Sequence, residues 1–199
     1  QVGKCHRLTD ATLTFSGAAD DDELFRAVSA YGSAISLTAD ATYGDTSISI
    51  SSTAGLVAGD DVCLSSGGIW GDDGSDTVTK AETLRIAEVV DATTLRFMTP
   101  VDDTYTTADS AQIAALEGHE KLVLERIFAY GKSKTSTQSG IVAARVRGMS
   151  MIGCDFRDFG SECVHVEGCT EVEISSDFSG SMNAITGYNV GLFGPNRNV

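Results

Sequence analysis

Basic residues and proline are scarce in this chain. Fourteen Lys and Arg stand against 28 Asp and Glu, for a formal net charge of −14 and a pI near 4.4. That balance excludes the basic face a nucleic-acid binder needs to displace counterions from phosphate. It also excludes docking on an anionic membrane; the acidity itself favours solubility and low self-association. No apolar run approaches the length of a membrane span. The opening QVGKCHRLTDATLTF lacks a charged-then-apolar signal layout and an initiator Met, so the chain is expected to be a piece of a longer or processed product. Five cysteines, Cys5, Cys63, Cys154, Cys163 and Cys169, are an odd and irregular set. They do not make a small secreted disulfide framework; free buried thiols and folding in a reducing cytoplasm are expected.

What is present is a globular composition, 42% hydrophobic and 21% charged over 199 residues, enough for one domain or two small ones. Two prolines accompany 21 glycines, many beside Ser, Asp or Asn, which is a turn-rich β signature. The one helix signal is ADDDELFRAVSAYG, Ala19 to Gly32. Asp20 to Asp22 supply N-cap oxygens, Leu24, Phe25 and Val28 make an apolar face, and Gly32 supplies a stop. From Ser36 the apolar period becomes two. TSISISS, GDDVCLSS, TLRIAEVV, TLRFMTP and AQIAALE read as short strands, with Asp91-Ala92-Thr93 joining the third and fourth as a hairpin. The intervening GGIWGDDGSDTVTK reads as a polar surface loop. Its Asp72, Asp73 and Asp76 lack EF-hand spacing.

The last third repeats. Ile141, Cys163 and Ile185 recur every 22 residues, as do the pairs Ile152 and Ile174, Asp155 and Asp177, and Phe156 and Phe178. KLVLERIFAYG aligns with GMSMIGCDFRD, Lys121 with Gly148, at a shift of 27. Short β runs at this period, punctuated by glycine, predict a solenoid. One coil cannot bury its inward side chains alone, whereas stacked coils share a hydrogen-bond ladder and columns of like side chains. Alternation turns Val172, Ile174, Ser176 and Phe178 inward and Glu171, Glu173, Ser175 and Asp177 to solvent.

The order of these parts carries a resemblance. The lead-in AVSAYGSAISLTADATYGDTSISISSTAGLVAGDDVCLSS comes first, then ETLRIAEVVDATTLRFMTPVDDTYTTADSAQIAALEG. KLVLERIFAYG then opens the coils. Over about residues 13 to 199 the chain resembles the right-handed β-helix proteins of the pectate-lyase-like superfamily, in the version found in bacteriophage tail spikes. The resemblance implies an all-β right-handed parallel β-helix with an inserted small β module and one short N-terminal helix. The expected division is 1–37 for the entry strand and helix, 38–118 for the inserted module, and 119–199 for coils that continue beyond the chain. It further implies a homotrimeric virion protein, folded in the host cytoplasm, that meets other tail or baseplate proteins and host surface polysaccharide. A polysaccharide lyase or glycoside hydrolase on the same fold, and a bacterial surface adhesin, are the alternatives.

Few residues offer chemistry. The 22-residue shift stacks Asp155 and Asp177 about one strand spacing apart, near the ~5–5.5 Å separation of a retaining glycosidase pair. They are the candidate catalytic carboxylates; the competing reading is an Asp ladder relieved by Arg157. Trp70 and Tyr105, near the loops, are candidates to stack on sugars. Cys163, His165 and Cys169 crowd together but do not converge with Cys154 on a tetrahedral site, so neither a metal nor a cofactor is expected.

Overall fold

The computed structural model describes residues 4–14, 23–68, 80–117, 119–131, 139–160, 162–179 and 190–193. Its first strands are β1 (Lys4–Thr9), β2 (Thr12–Thr14) and β3 (Glu23–Val28). Next come β4 (Ala30–Tyr31), β5 (Ile35–Ser36), β6 (Ser47–Ser49), β7 (Asp61–Ser66), β8 (Lys80–Val89), β9 (Thr94–Phe97) and β10 (Gln112–Glu117). The last are β11 (His119–Glu125), β12 (Phe128–Tyr130), β13 (Ser139–Ala144), β14 (Arg147–Arg157), β15 (Val164–Glu167), β16 (Thr170–Ser179) and β17 (Val190–Phe193). The chain divides into two compact units, Gln1–Ser29 with Gly118–Val199, and Ala30–Glu117.

The first unit is a stack of coils. β1, β11, the first half of β14 and the first half of β16 form one parallel ladder. β2, β12 and the second halves of β14 and β16 form another. β3, β13, β15 and β17 form a third. Each coil therefore gives one strand segment to each ladder. The apolar residues fall in columns because parallel in-register strands put equivalent side chains one above another. Leu122, Met149 and Val172 make one buried column, Leu124 and Met151 another, and Ala129 lies against Phe156. Burying each large aliphatic side chain contributes roughly 1.5–3 kcal/mol. The expected faces of β16 hold as far as its side chains are described: Val172 is buried while Glu171, Glu173 and Ser175 are exposed.

The corners explain the repeat length. Asp10, Arg126 and Gly153 occupy equivalent corner positions with φ of 52, 52 and 61°. The Asp10 N–H donates to Glu125 O at 3.0 Å and the Arg126 N–H to Ile152 O at 2.9 Å, so the ladder runs on through the bend. Gly148 and Glu171 form a second left-handed corner at 76 and 55°, and Arg145 and Gly168 a third at 59 and 57°. A non-glycine residue in this region costs about 1–2 kcal/mol. These positions persist because the ladders on either side fix the bend.

Two expectations change. The alignment of β11 with β14 holds at a shift of 27, since Leu122 pairs Met149 and Leu124 pairs Met151. A one-residue slip would turn Leu122 over Ser150 and reverse the faces. From β14 to β16 the shift is 23 as far as Ile152 and becomes 22 only from Asp155, across an irregularity in the register. β14 carries one more corner residue there than β16. Consequently Met151, not Ile152, pairs Ile174; Ile152 pairs Ser175 and is exposed. Likewise Ile141 pairs Val164, which in turn pairs Val190, so Cys163 stands just before the strand. Ile185 lies outside the described residues.

The second change concerns the N-terminal helix. Glu23–Val28 is the strand β3, parallel to β13, and Ala30–Tyr31 is the strand β4, antiparallel to β10. Residues 19–22 lie outside the described residues. Local propensity is a weak prior that tertiary context overrides. Here Phe25 pairs Ile141 and Ala27 pairs Ala143, extending two core columns by one coil.

The second unit is antiparallel, in the order β4-β10-β7-β8-β9-β6, with β5 also on β10. All five strands expected from Ser36 onward are present, and β8 and β9 pair as the hairpin. Leu37, next to β5, bridges Ile50, next to β6. The Thr38 N–H donates to Ser49 O and the Ser51 N–H to Ser36 O, both at 2.9 Å. The sheet thus closes on itself around Ile50, Val62, Leu64, Ile86, Leu95 and Ile113, all fully buried, which leaves few strand edges open. Within this wall Arg85 grips Asp61 with both arms, Nε to Oδ1 at 3.0 Å and Nη2 to Oδ2 at 2.9 Å, directly across the β7–β8 pair.

Candidate functional site

The polar outer face of the ladder through β2, β12, β14 and β16 gathers the chemistry the coils offer. In β12 the inward residue is Ala129, fully buried and in register with Phe156. Alternation then sends Phe128 and Tyr130 outward, 45% and 39% exposed. Phe128 is in register with Asp155, and Tyr130 with Arg157. One coil further, Asp155 is in register with Asp177. The face is therefore a grid of two rows about 7 Å apart, stepping roughly 4.8 Å from coil to coil.

Arg157 organises the grid. Its Nε donates to both Asp155 oxygens at 2.9 Å, and its Nη2 donates to Oδ2. The Asp155 side chain is 16% exposed and that of Arg157 52%. The hydrogen bond to Asp155 raises the guanidinium pKa above its ordinary value, with a smaller push from Tyr130 nearby. The Asp155–Asp177 column exists at the backbone, as expected. The oxygens of Asp155 are engaged by Arg157, the arrangement of a relieved Asp ladder.

The other expected residues do not join this face. Trp70 and the acidic trio Asp72, Asp73 and Asp76 lie outside the described residues. Tyr105 contradicts its expectation: the residue is 1% exposed, because its ring belongs to the core of the closed sheet. Its hydroxyl bonds Glu82, and Lys Nζ of Lys80 sits 5.5 Å from the ring centroid. Desolvation raises the Glu82 carboxyl pKa. A ring held in this way presents no flat face to a sugar.

Cys163 and Cys169 are buried, and His165 Nε2 lies 3.3 Å from Glu167 Oε2. Cys169 Sγ donates to Ala143 O at 3.3 Å, and burial pushes its thiol pKa up to about 11. Cys154 Sγ donates to Leu124 O at 3.5 Å. Among the described residues no group of three or more His, Cys, Asp or Glu is placed to hold a metal ion. These thiols act as small core side chains that also satisfy backbone carbonyls.

Sequence reasoning passed over Phe128 and Tyr130. The signal was the order large-small-large in FAY, in which the small residue takes the inward column and both rings must face out.

No family model matches the chain, and comparison with curated proteins finds no match. Solved structures do match. The tailspike gp61 of Pseudomonas phage phi297 superposes with a TM-score of 0.60 over 98% of this chain and 38% of its own, at 11% identity. The tailspike gp49 of Pseudomonas phage LKA1 gives 0.53 over 92% of this chain and 39% of its own, at 13% identity. The gp54 tailspike of Acinetobacter baumannii bacteriophage AP22, solved in complex with A. baumannii capsular saccharide, gives 0.46 over 88% and 40%, at 11% identity. The chain shares the fold of the first two tailspikes and spans about two fifths of their length.

Proposed function

We propose that the chain is part of a bacteriophage tail spike and that it acts in attachment to host surface polysaccharide. The observation that carries this reading is the fold shared with the phi297 tailspike over 98% of the chain, inserted closed sheet included. On this reading the coils are the opening turns of a right-handed parallel β-helix that continues in the full-length protein. The assembled protein is a homotrimer in the virion tail, folded in the host cytoplasm and joined to other tail or baseplate proteins. Stacked coils suit this role, because they present outward rows of side chains in register from coil to coil.

The test is retention of the purified chain on a panel of immobilised bacterial capsular and O-antigen polysaccharides, with its mass in solution measured in parallel. Saturable retention on at least one polysaccharide and a trimeric mass are expected. A monomer that binds none of them contradicts the reading.

A second reading, a polysaccharide-cleaving enzyme, has one observation in its favour, the register of Asp155 with Asp177 on adjacent coils. It predicts release of new reducing ends or unsaturated products from the retained polysaccharide, abolished by Asp155→Asn and Asp177→Asn. The engagement of Asp155 by Arg157 favours binding over cleavage at this face.

A further inference from the structure

The outer face of β12 carries apolar surface that the core does not require. Ala129 alone completes the inward column, so the exposure of Phe128 and Tyr130 forfeits the stabilisation that burial of two large rings would contribute. Single exposed apolar residues are ordinary, whereas two rings side by side with a polar border mark a contact surface. We propose that Phe128 and Tyr130 form a saccharide-stacking site, completed by Arg157 on the next coil. This rests on the polysaccharide-attachment reading and names where on the coils that contact is made.

The chemistry fits a sugar in three respects. A pyranose ring has an apolar C–H face and a rim of hydroxyls, and an exposed aromatic ring offers an apolar face at low conformational cost. Phe128 and Tyr130 are about 7 Å apart along the strand, room for adjoining ring contacts on an extended chain. Arg157 then supplies donors to the hydroxyl rim. A guanidinium has five N–H donors, and Asp155 engages only its Nε and Nη2, fixing the fork while half the side chain faces solvent.

A subunit contact, which the proposed trimer makes elsewhere on this reading, fits the strip less well, because covering it would desolvate the Asp155–Arg157 pair. The net charge of −14 disfavours nucleic acid.

The experiment uses the polysaccharide that the wild-type chain retains best from the capsular and O-antigen panel. The variant Phe128→Ala/Tyr130→Ala is expected to lose at least about tenfold in affinity, since it removes both apolar faces of the site. Its mass in solution is expected to stay unchanged and its thermal midpoint to fall only modestly, because both rings are partly solvent-exposed and the inward column is left intact. Arg157→Gln is expected to lose about threefold to tenfold, and Tyr130→Phe to retain affinity within about threefold, as a stacking role requires. A double variant with wild-type affinity overturns the site while leaving the attachment reading standing. A double variant that loses binding only together with its oligomeric mass assigns the strip to a subunit contact and also overturns the site. A wild-type chain retained by no polysaccharide overturns both.

Discussion

The two units solve one problem, satisfying every strand edge, in opposite ways. The Ala30–Glu117 unit closes an antiparallel sheet on itself through Leu37 and Ile50. The coil unit leaves its ladders open along the stack and passes each edge to the next coil, across sequence separations of 22 to 27 residues between β11, β14 and β16. The closed sheet can therefore afford a buried charge pair in its wall, anchored by direct cross-strand register. The coils depend instead on corners, where left-handed residues and close backbone approaches hold successive turns in line. The side chains follow the same division: closure surrounds Tyr105, while stacking aligns Phe128, Tyr130, Asp155 and Arg157 on one outer face.

The largest effect that tests this contrast is in the closed sheet. Asp61→Ala removes the carboxylate that accepts from both Arg85 Nε and Nη2, in a wall where the Asp61 side chain is 1% exposed. A loss of about 3–5 kcal/mol in denaturant unfolding is expected. By contrast Arg126→Ala, which removes the exposed corner links to Asp10 and Glu125, is expected to change stability much less. Equal effects would dissolve the distinction.

Next in size is the coil corner at Gly131, where an added Cβ would stand 2.4 Å from Asp158 O, a backbone atom that cannot yield without moving the adjacent coil. Gly131→Ala is expected to cost about 1–3 kcal/mol, measured by the same unfolding curve.

A pH comparison gives opposite signs. The raised Glu82 pKa means its contribution is fully present below about 4.5 and is lost as pH rises through the folded value. Glu82→Gln is therefore expected to raise the thermal midpoint at neutral pH and to leave it nearly unchanged in acid. Asp10 and Glu125 have lowered pKa values, chiefly from hydrogen bonds with Arg126 and Arg7 respectively. Their contribution is present above the unfolded values of 3.8 and 4.5 and fades as pH falls through the folded ones, so the effect of Arg126→Ala shrinks in acid. The thermal midpoint of each variant against pH checks both.

The smallest effect is expected at Gly153. Its φ of 61° matches the non-glycine corners Asp10 and Arg126, and an added Cβ would meet only Arg126 Cγ, at 3.8 Å. Gly153→Asn is expected to stay within about 1 kcal/mol of wild type by denaturant unfolding.

The two units also differ in how much their sequence disclosed. Alternation and a short connection placed β8 against β9, because antiparallel neighbours are close in sequence and the hairpin limits the register. In the coils, the repeat disclosed the stacking but not its exact step. Asp155 and Phe156 matched Asp177 and Phe178 at 22, yet Met151 matched Ile174 at 23, and the difference is one residue spent at the Gly153 corner. A single offset cannot represent a ladder that changes step midway. The Asp20–Asp22 cap signal and the apolar spacing after it favoured a helix locally, while the open edge of β13 recruited Glu23–Val28 as a strand. At the site, the acidic column was legible because the repeat exposed it. The aromatic pair was not, because outward Phe and Tyr resemble core residues until Ala129 is known to occupy the inward column.

Hydrogen exchange of the chain, with and without the polysaccharide it retains best, tests most directly whether contact with that polysaccharide is made by the coils. Slowed exchange is expected in peptides covering residues 128–130 and 155–157, with residues 80–117 unchanged. Protection confined to residues 80–117, with none at 128–130 or 155–157, would contradict it.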